Sequence, residues 1–382
     1  MSGYEGKSKP LSKDEVARHH SARPALRETD LPVRFRPVLT PPKPGVRVFP
    51  PPVEGKLIER PDRAAVSEVL RQAGKRFGAK LEDLSATQMT ELSREIADRL
   101  AQVSRIRAKG TEGLLPDHLP FKPILPELEA RRRVRPFIGP RVDMQLGHLQ
   151  PGEFQATTIF PPDQRYLFDD TSFPWCTTGR VDVTGGWGSG ALVGPRHLLC
   201  ASHMMTWNPD NTVNQVTFTP SYFDGNAPFG NAGIIHWYAY RKVVGPTLSV
   251  ADTEEDYVCL VLDQRLGDLC GWMGTRGYDS SWNGLTDWDH IGYPGDLGGG
   301  TRPSFQGSIS IDSTTGGSAD EYLSQKADVW PGQSGGPFFD WFGSDPWPSV
   351  VGVQSAQNSS NNSAGGGNDI PNMVNQARSD FP

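Results

Sequence analysis

An all-β domain over residues 151–382, preceded by an irregular, partly helical region over residues 1–150, is the fold class that this sequence predicts. Three observations carry it. Beyond about Ser172 the chain breaks into short β-type runs at 179–183, 191–193, 197–201, 214–219, 257–262 and 350–353, each bounded by Gly, Asn, Asp or Pro. Many short strands with frequent turns indicate a barrel or a sandwich. Glycine and proline are abundant, 42 and 34 of 382 residues, as a turn-rich chain requires. The residues before 151 lack this texture, and the length suits two units.

Within the first region, proline is dense from Pro32 to Pro52 and favours extended chain, so residues 1–60 are expected to be largely without regular structure. Two helices follow. The first starts at Pro61-Asp62, carries Ala65, Val66, Val69, Leu70, Ala73 and Phe77 on one face, and ends near Gly78. The second opens with Ser85 and Gln88 at capping-box spacing and runs through Met89, Leu92, Ile96, Leu100, Val103 and Ile106. Its apolar stripe needs a partner, either the other helix in a hairpin or the β domain. From Gly110 to Pro162 the chain again reads as irregular, with Arg131, Arg132, Arg133 and Arg135 in its middle. No internal repeat is visible.

Hydrophobic residues make up 36% and charged residues 21%, which suits a soluble protein with a core. No apolar run is long enough to cross a bilayer, and the opening MSGYEGKSKPLSKDE has no signal-peptide core, so no membrane partner is expected. The net charge of −6 is unevenly spread. Residues 1–150 hold 28 Lys and Arg against 19 Asp and Glu, whereas residues 151–382 hold 10 against 25. A basic part joined to an acidic part attracts it. The basic charges are interspersed with acids rather than gathered in a stripe, so no nucleic-acid partner is expected.

The strongest chemical signal is Pro331-Gly332-Gln333-Ser334-Gly335-Gly336-Pro337. Small neighbours present a serine with little cover, and the Gly332 and Ser334 N–H groups form a candidate oxyanion hole. A glycine-rich turn with an incidental serine would look the same. The string also fits the nucleophile elbow of α/β-hydrolases, but that order needs a histidine after the serine, and the last histidine is His290. Upstream, Leu198-Leu199-Cys200-Ala201-Ser202-His203 is an apolar strand ending in a histidine. Asp256-Tyr257-Val258-Cys259-Leu260-Val261-Leu262 sets an acid at the mouth of a buried strand. Each alone reads as structural; together they supply base, orienting acid and nucleophile in the order His203, Asp256, Ser334.

On these residues the chain resembles the chymotrypsin-like serine peptidases, most closely their glutamyl endopeptidase branch, from about Pro162 to the end. Asp163-Gln164-Arg165 with Phe173-Pro174-Trp175 resembles the branch's DDR…YPW segment. His290-Ile291-Gly292-Tyr293-Pro294-Gly295-Asp296 resembles its HxxGYPGD element, and Asp328 to Pro337 its DTxGGQSGSP motif. The resemblance implies two six-stranded Greek-key β-barrels and serine endopeptidase activity on polypeptide substrates, with His203, Asp256 and Ser334 as triad. It also makes Gln354, Ser355 and Ala356 the strand beside the substrate, with Asp328 and Val329 at the specificity pocket. The chain departs from the branch in having Gln354 and Val329 where histidine and threonine or serine recognise glutamate. Asp328, six residues before Ser334, reads either as a pocket acid for basic side chains or as a structural acid.

Strands that unite His203 and Asp256 would bring Cys200 near Cys259, leaving Cys176 and Cys270; two disulfides and four buried thiols are both open readings. No His/Cys/Asp cluster shows metal spacing, so neither metal nor cofactor is expected, and His236 and His290 read as structural. The family habit makes residues 1–150 an intramolecular inhibitor of a zymogen, cleaved between the Arg131–Arg135 run and Pro162. Its rivals are a retained regulatory module in an intracellular protease and a non-catalytic, protease-like binding protein. Family and cysteines favour secretion; the opening residues favour the cytoplasm.

Overall fold

The computed structural model describes residues 8–23, 51–60, 68–73, 75–76, 84–104, 110–125, 159–245, 247–313, 320–357 and 361–382. Six antiparallel strands close the first barrel. Val258–Leu262 pairs on one side with His197–Cys200 and on the other with Ala232–Ala239; Gly186–Gly194, Thr178–Val183 and Thr217–Pro220 complete the ring. Its interior is filled by Val181, Leu192, Leu198, Phe218, Ile234, Val258 and Leu260. The expected runs at 179–183 and 191–193 fall within these strands, and those at 197–201, 214–219 and 257–262 overlap them.

The second sheet curls into a barrel by a different device. Trp288–Gly292, Pro337–Asp340, Ser349–Gln357, Asn362–Gly366 and Glu321–Gln325 follow one another in it. Two halves of one bent segment flank these five: Ser304–Ile309 pairs with Trp288–Gly292 and carries Tyr166–Leu167 on its outer side, and Ile311–Ser313 pairs with Glu321–Gln325. Trp282, Trp288, Leu323, Phe338, Val351 and Ala364 form its core. A terminal helix, Asp369–Asp380, buries Ile370, Met373, Val374 and Ala377.

Among the described residues, 8–23, 51–56 and 110–125 group with the β domain in one compact unit, and 57–60, 68–73, 75–76 and 84–104 form another. Most of the proline-dense stretch lies outside the described residues, but 8–23 and 51–60 contain regular structure. Ser12 and Glu15 form a reciprocal capping box for the helix Lys13–His19, which buries Val16. Lys13 Nζ lies 2.7 Å from the buried carboxylate of Asp289. Strand Val53–Glu54 pairs with Thr212–Val213, and Val53 enters the first-barrel core. Residues 110–125 have no strand but are tied down. Phe121 bridges to Phe173 and is buried in the same core, and Tyr166 Oη donates to Leu125 O at 2.9 Å.

In the smaller unit the second expected helix is present as Ala86–Ser104, and Ser85 and Gln88 exchange the anticipated capping hydrogen bonds. The first expected helix lies largely outside the described residues, as do Arg131–Arg135 and most of the interval expected to hold a cleavage site. No helix among the described residues is long and apolar enough to cross a membrane.

Candidate active site

The fully buried strand His197–Cys200 runs into the small residue Ala201, and a short 3-10 turn, Ser202–Met204, presents His203 at the barrel rim. Asp256 arrives from the other direction. Ser249 and Asp252 cap the helix Val250–Glu254; Asp256 follows two residues later, just before the buried strand Val258–Leu262. This sets the Asp256 carboxylate, itself fully buried, against His203. Oδ1 accepts the His203 backbone N–H at 2.8 Å, and Oδ2 lies 2.5 Å from His203 Nδ1. From the second barrel, Ser355 Oγ donates to the same Oδ2 at 2.5 Å. Burial disfavours a protonated His203, but the charge and hydrogen bond of Asp256 outweigh it and hold the imidazole above the usual histidine range.

The Ser334 loop belongs to the second barrel but is gripped by the first. Ser189, on strand Gly186–Gly194, donates its N–H to Ser334 O and its hydroxyl to Gly332 O, both at 2.8 Å. With those carbonyls taken, the Gly332 and Ser334 N–H groups have no acceptor among the described residues. Gly332 has φ +101°, and a Cβ there would lie 2.3 Å from Tyr293 O, so only glycine fits. A Cβ on Gly335 would lie 2.9 Å from Ala201 N, which places the serine loop directly against the segment that carries His203. Ser334 itself is 8% exposed, and its Oγ makes no hydrogen bond to His203 or to any other described residue. The structure thus joins His203 to Asp256 and sets the Ser334 loop beside the segment that carries His203, with no hydrogen bond between Ser334 and His203. The fold is the chymotrypsin-like double barrel.

The expected pocket residues scatter in role. Asp328 is 1% exposed, and its two oxygens accept the backbone N–H groups of Phe160 and Gln164 at 2.6 and 2.8 Å. Val329 is buried in the second-barrel core. Gln354 Oε1 accepts from Gln325 Nε2 at 2.7 Å, and Ala356 packs with Val243 and Leu248. His290 stacks on Phe338, and its burial drives the ring pKa down to about 4, as a core histidine requires. His236 lies between Tyr238 and Phe381. Sequence reasoning missed Ser189, whose sequence signal is only a serine in a glycine-rich strand.

Of the two open readings of the cysteines, the structure has the second. All four cysteines are buried free thiols. Cys200 and Cys259 do lie on neighbouring strands, but Cys200 is opposite Val258 and Cys259 opposite Leu199. Adjacent register positions point to opposite faces of a sheet, so these side chains cannot meet. Cys176 does approach Cys270, donating its thiol to the Cys270 carbonyl at 3.2 Å.

No protein-family model matches the chain. An extracellular metalloprotease of Bacillus subtilis is 27% identical over 216 residues, which cover 54% of this chain and 65% of that protein. Among solved structures, a Glu endopeptidase in complex with MPD is 18% identical and superposes with a TM-score of 0.48 over 58% of this double barrel's chain and 100% of its own. The protease Anisep of Arthrobacter nicotinovorans is 21% identical, with a TM-score of 0.43 over 56% and 99%. Among the described residues, no three His, Cys, Asp or Glu side chains gather as a metal site.

Proposed function

We propose that this protein is a serine endopeptidase acting through His203, Asp256 and Ser334. The observation that carries the reading is the Asp256 carboxylate. Its two oxygens hold the His203 backbone N–H and the ring Nδ1, while Ser355 reaches it from the opposite barrel. An imidazole so oriented, with Nδ1–H on the acid, leaves Nε2 to act as base. Ser334 Oγ bonds to the scissile carbonyl carbon as its proton passes to His203 Nε2. The oxyanion sits on the free Gly332 and Ser334 N–H groups. Collapse breaks the C–N bond, and the amine leaves with the proton from His203. Water then adds to the acyl-enzyme by the same relay, restoring the Ser334 hydroxyl and releasing the acid.

An uncharged residue on the acyl side of the scissile bond suits the pocket. The Asp328 carboxylate is occupied by two backbone N–H groups, and the Gln354 amide is paired with Gln325. Peptide-library profiling tests this, and a dominant preference for Glu, Arg or Lys would overturn it. Residues 8–23, 51–56 and 110–125 belong to the compact unit of the double barrel, which favours a retained N-terminal region over a detachable inhibitor.

The second reading, a non-catalytic binding protein, draws on one observation: Ser334 Oγ makes no hydrogen bond to His203. Fluorophosphonate labelling of the full chain separates the two. Labelling of wild type and its loss in Ser334→Ala are expected; a wild-type chain that resists the probe and cleaves no peptide sinks the peptidase reading.

A further inference from the structure

The oxyanion loop has a second anchor, independent of Ser189, that reaches it through a side chain. Gln333, between Gly332 and Ser334, is fully buried. Its Oε1 accepts the Trp330 N–H at 2.9 Å, closing the loop on itself. The Gln333 backbone N–H returns to Trp330 O at 3.0 Å, and Gly336 N–H donates to Gln333 O at 2.9 Å. The same Oε1 takes a second contact, from Arg165 Nη1 at 2.8 Å.

Arg165 comes from the segment ahead of the first barrel, 168 residues upstream, and its side chain is 1% exposed. A buried guanidinium needs compensating charge and geometry. Asp163 accepts from Nε and Nη2, and Asp296 from Nη1 and Nη2, at 2.7–3.1 Å. Asp296 lies beside Gly295, whose N–H donates to Pro331 O at 2.9 Å, so the carboxylate is itself tied to the start of the loop. Asp328 adds a parallel tie by holding Phe160 N and Gln164 N.

Resting on the peptidase reading, the geometry points to Arg165 and Gln333 as positioning residues. Arg165 clamps the Gln333 amide, and that clamp sets the direction of the two N–H groups flanking it. Neither residue touches substrate. They act through the backbone of Gly332 and Ser334, and a loop freed from the clamp binds ground-state peptide unchanged while holding the oxyanion poorly.

The test compares Gln333→Leu, Gln333→Glu and Arg165→Lys with wild type in the full chain. Fluorophosphonate labelling comes first, then kcat and KM on a peptide substrate, then affinity for a peptide boronate that forms a tetrahedral adduct on serine. Removal of one oxyanion donor typically costs 10²–10³ in kcat, so displacing two donors without deleting them in Gln333→Leu should cost about tenfold or more, with KM within about threefold. Boronate affinity should fall by the same factor as kcat/KM. Gln333→Glu keeps an acceptor for Arg165 and should turn over at least about tenfold faster than Gln333→Leu. Arg165→Lys keeps the charge but loses the fork, and should show the same fall in kcat at constant KM. It decides the matter if Gln333→Leu does not fold. A labelled wild type with kcat unchanged in Gln333→Leu or Arg165→Lys overturns the clamp alone. So does a folded Gln333→Glu no faster than Gln333→Leu. An unlabelled, inactive wild type overturns the peptidase reading beneath it.

Discussion

Lys13 offers the sharpest test of how far the N-terminal region is built into the double barrel. Its ammonium lies 2.7 Å from Asp289 Oδ2, whose side chain is 3% exposed. Asp340 is fully buried nearby and also feels the Lys13 charge. Asp289 Oδ1 and Asp340 Oδ2 have no hydrogen-bond partner among the described residues. Replacing Lys13 by Met removes the attraction that Lys13 exerts on two buried carboxylates and leaves the repulsion of Asp287. Breaking a buried pair costs about 3–5 kcal/mol; the lower end applies because a third of the Lys13 side chain is exposed. For a unit of this size, about 3 kcal/mol lowers Tm by roughly 6 °C.

The pH dependence fixes the cause. Burial already raises the Asp289 and Asp340 pKa values against the opposing pull of Lys13, and without that pull they rise further. A carboxyl raised on folding stabilises below its unfolded pKa and loses that contribution as pH climbs through the folded one. The gap between wild type and Lys13→Met should therefore be widest near neutrality and shrink as pH falls toward about 4. Calorimetry at pH 7 and pH 4 checks this, and Lys13→Met/Asp289→Asn should recover part of the loss. A variant melting within about 1 °C of wild type at pH 7, or a gap that does not narrow in acid, refutes the reasoning.

Other expectations follow from the site. In Asp256→Asn the amide must face a donor whichever way it turns, because Oδ1 accepts His203 N and Oδ2 meets both His203 Nδ1 and Ser355 Oγ. The kcat for peptide hydrolysis should drop about 10⁴-fold, and a drop under tenfold contradicts the assigned role. The base must be neutral and its pKa is raised, so kcat/KM should rise with pH through a midpoint above about 6.5, which a pH–rate profile reads directly. Gly332→Ala forces a contact with Tyr293 O and should lose about a hundredfold in kcat while remaining folded by circular dichroism. Four thiols should react with a thiol reagent after denaturation and essentially none before it, since burial holds the Cys259 pKa at about 12 and raises those of Cys200 and Cys270.

Much of the double barrel is legible in the sequence because strand burial and turn residues are local signals. The apolar run Val258–Leu262 and the glycines around Ser334 announce their surroundings without help from distant chain. His203 and Asp256 were readable through order and strand ends. The N-terminal region was harder. Ser12 and Glu15 have the same capping spacing as Ser85 and Gln88, but the partner that secures their helix is Asp289, 276 residues away from Lys13. The cysteines show the complementary failure: proximity of Cys200 and Cys259 followed from the triad, but the face each thiol points to depends on register, which spacing along the chain does not encode. Asp328 had two readings of equal standing until Phe160 and Gln164 were seen to hold it.

One carboxylate joins the two barrels beside His203. Because Asp256 is held by His203 from one side and by Ser355 from the other, a slight parting of the barrels would strip the acid of a partner before either core was exposed to water. Turnover should therefore fade at lower denaturant concentrations than tryptophan fluorescence, making lost activity the earliest sign that the halves have begun to separate.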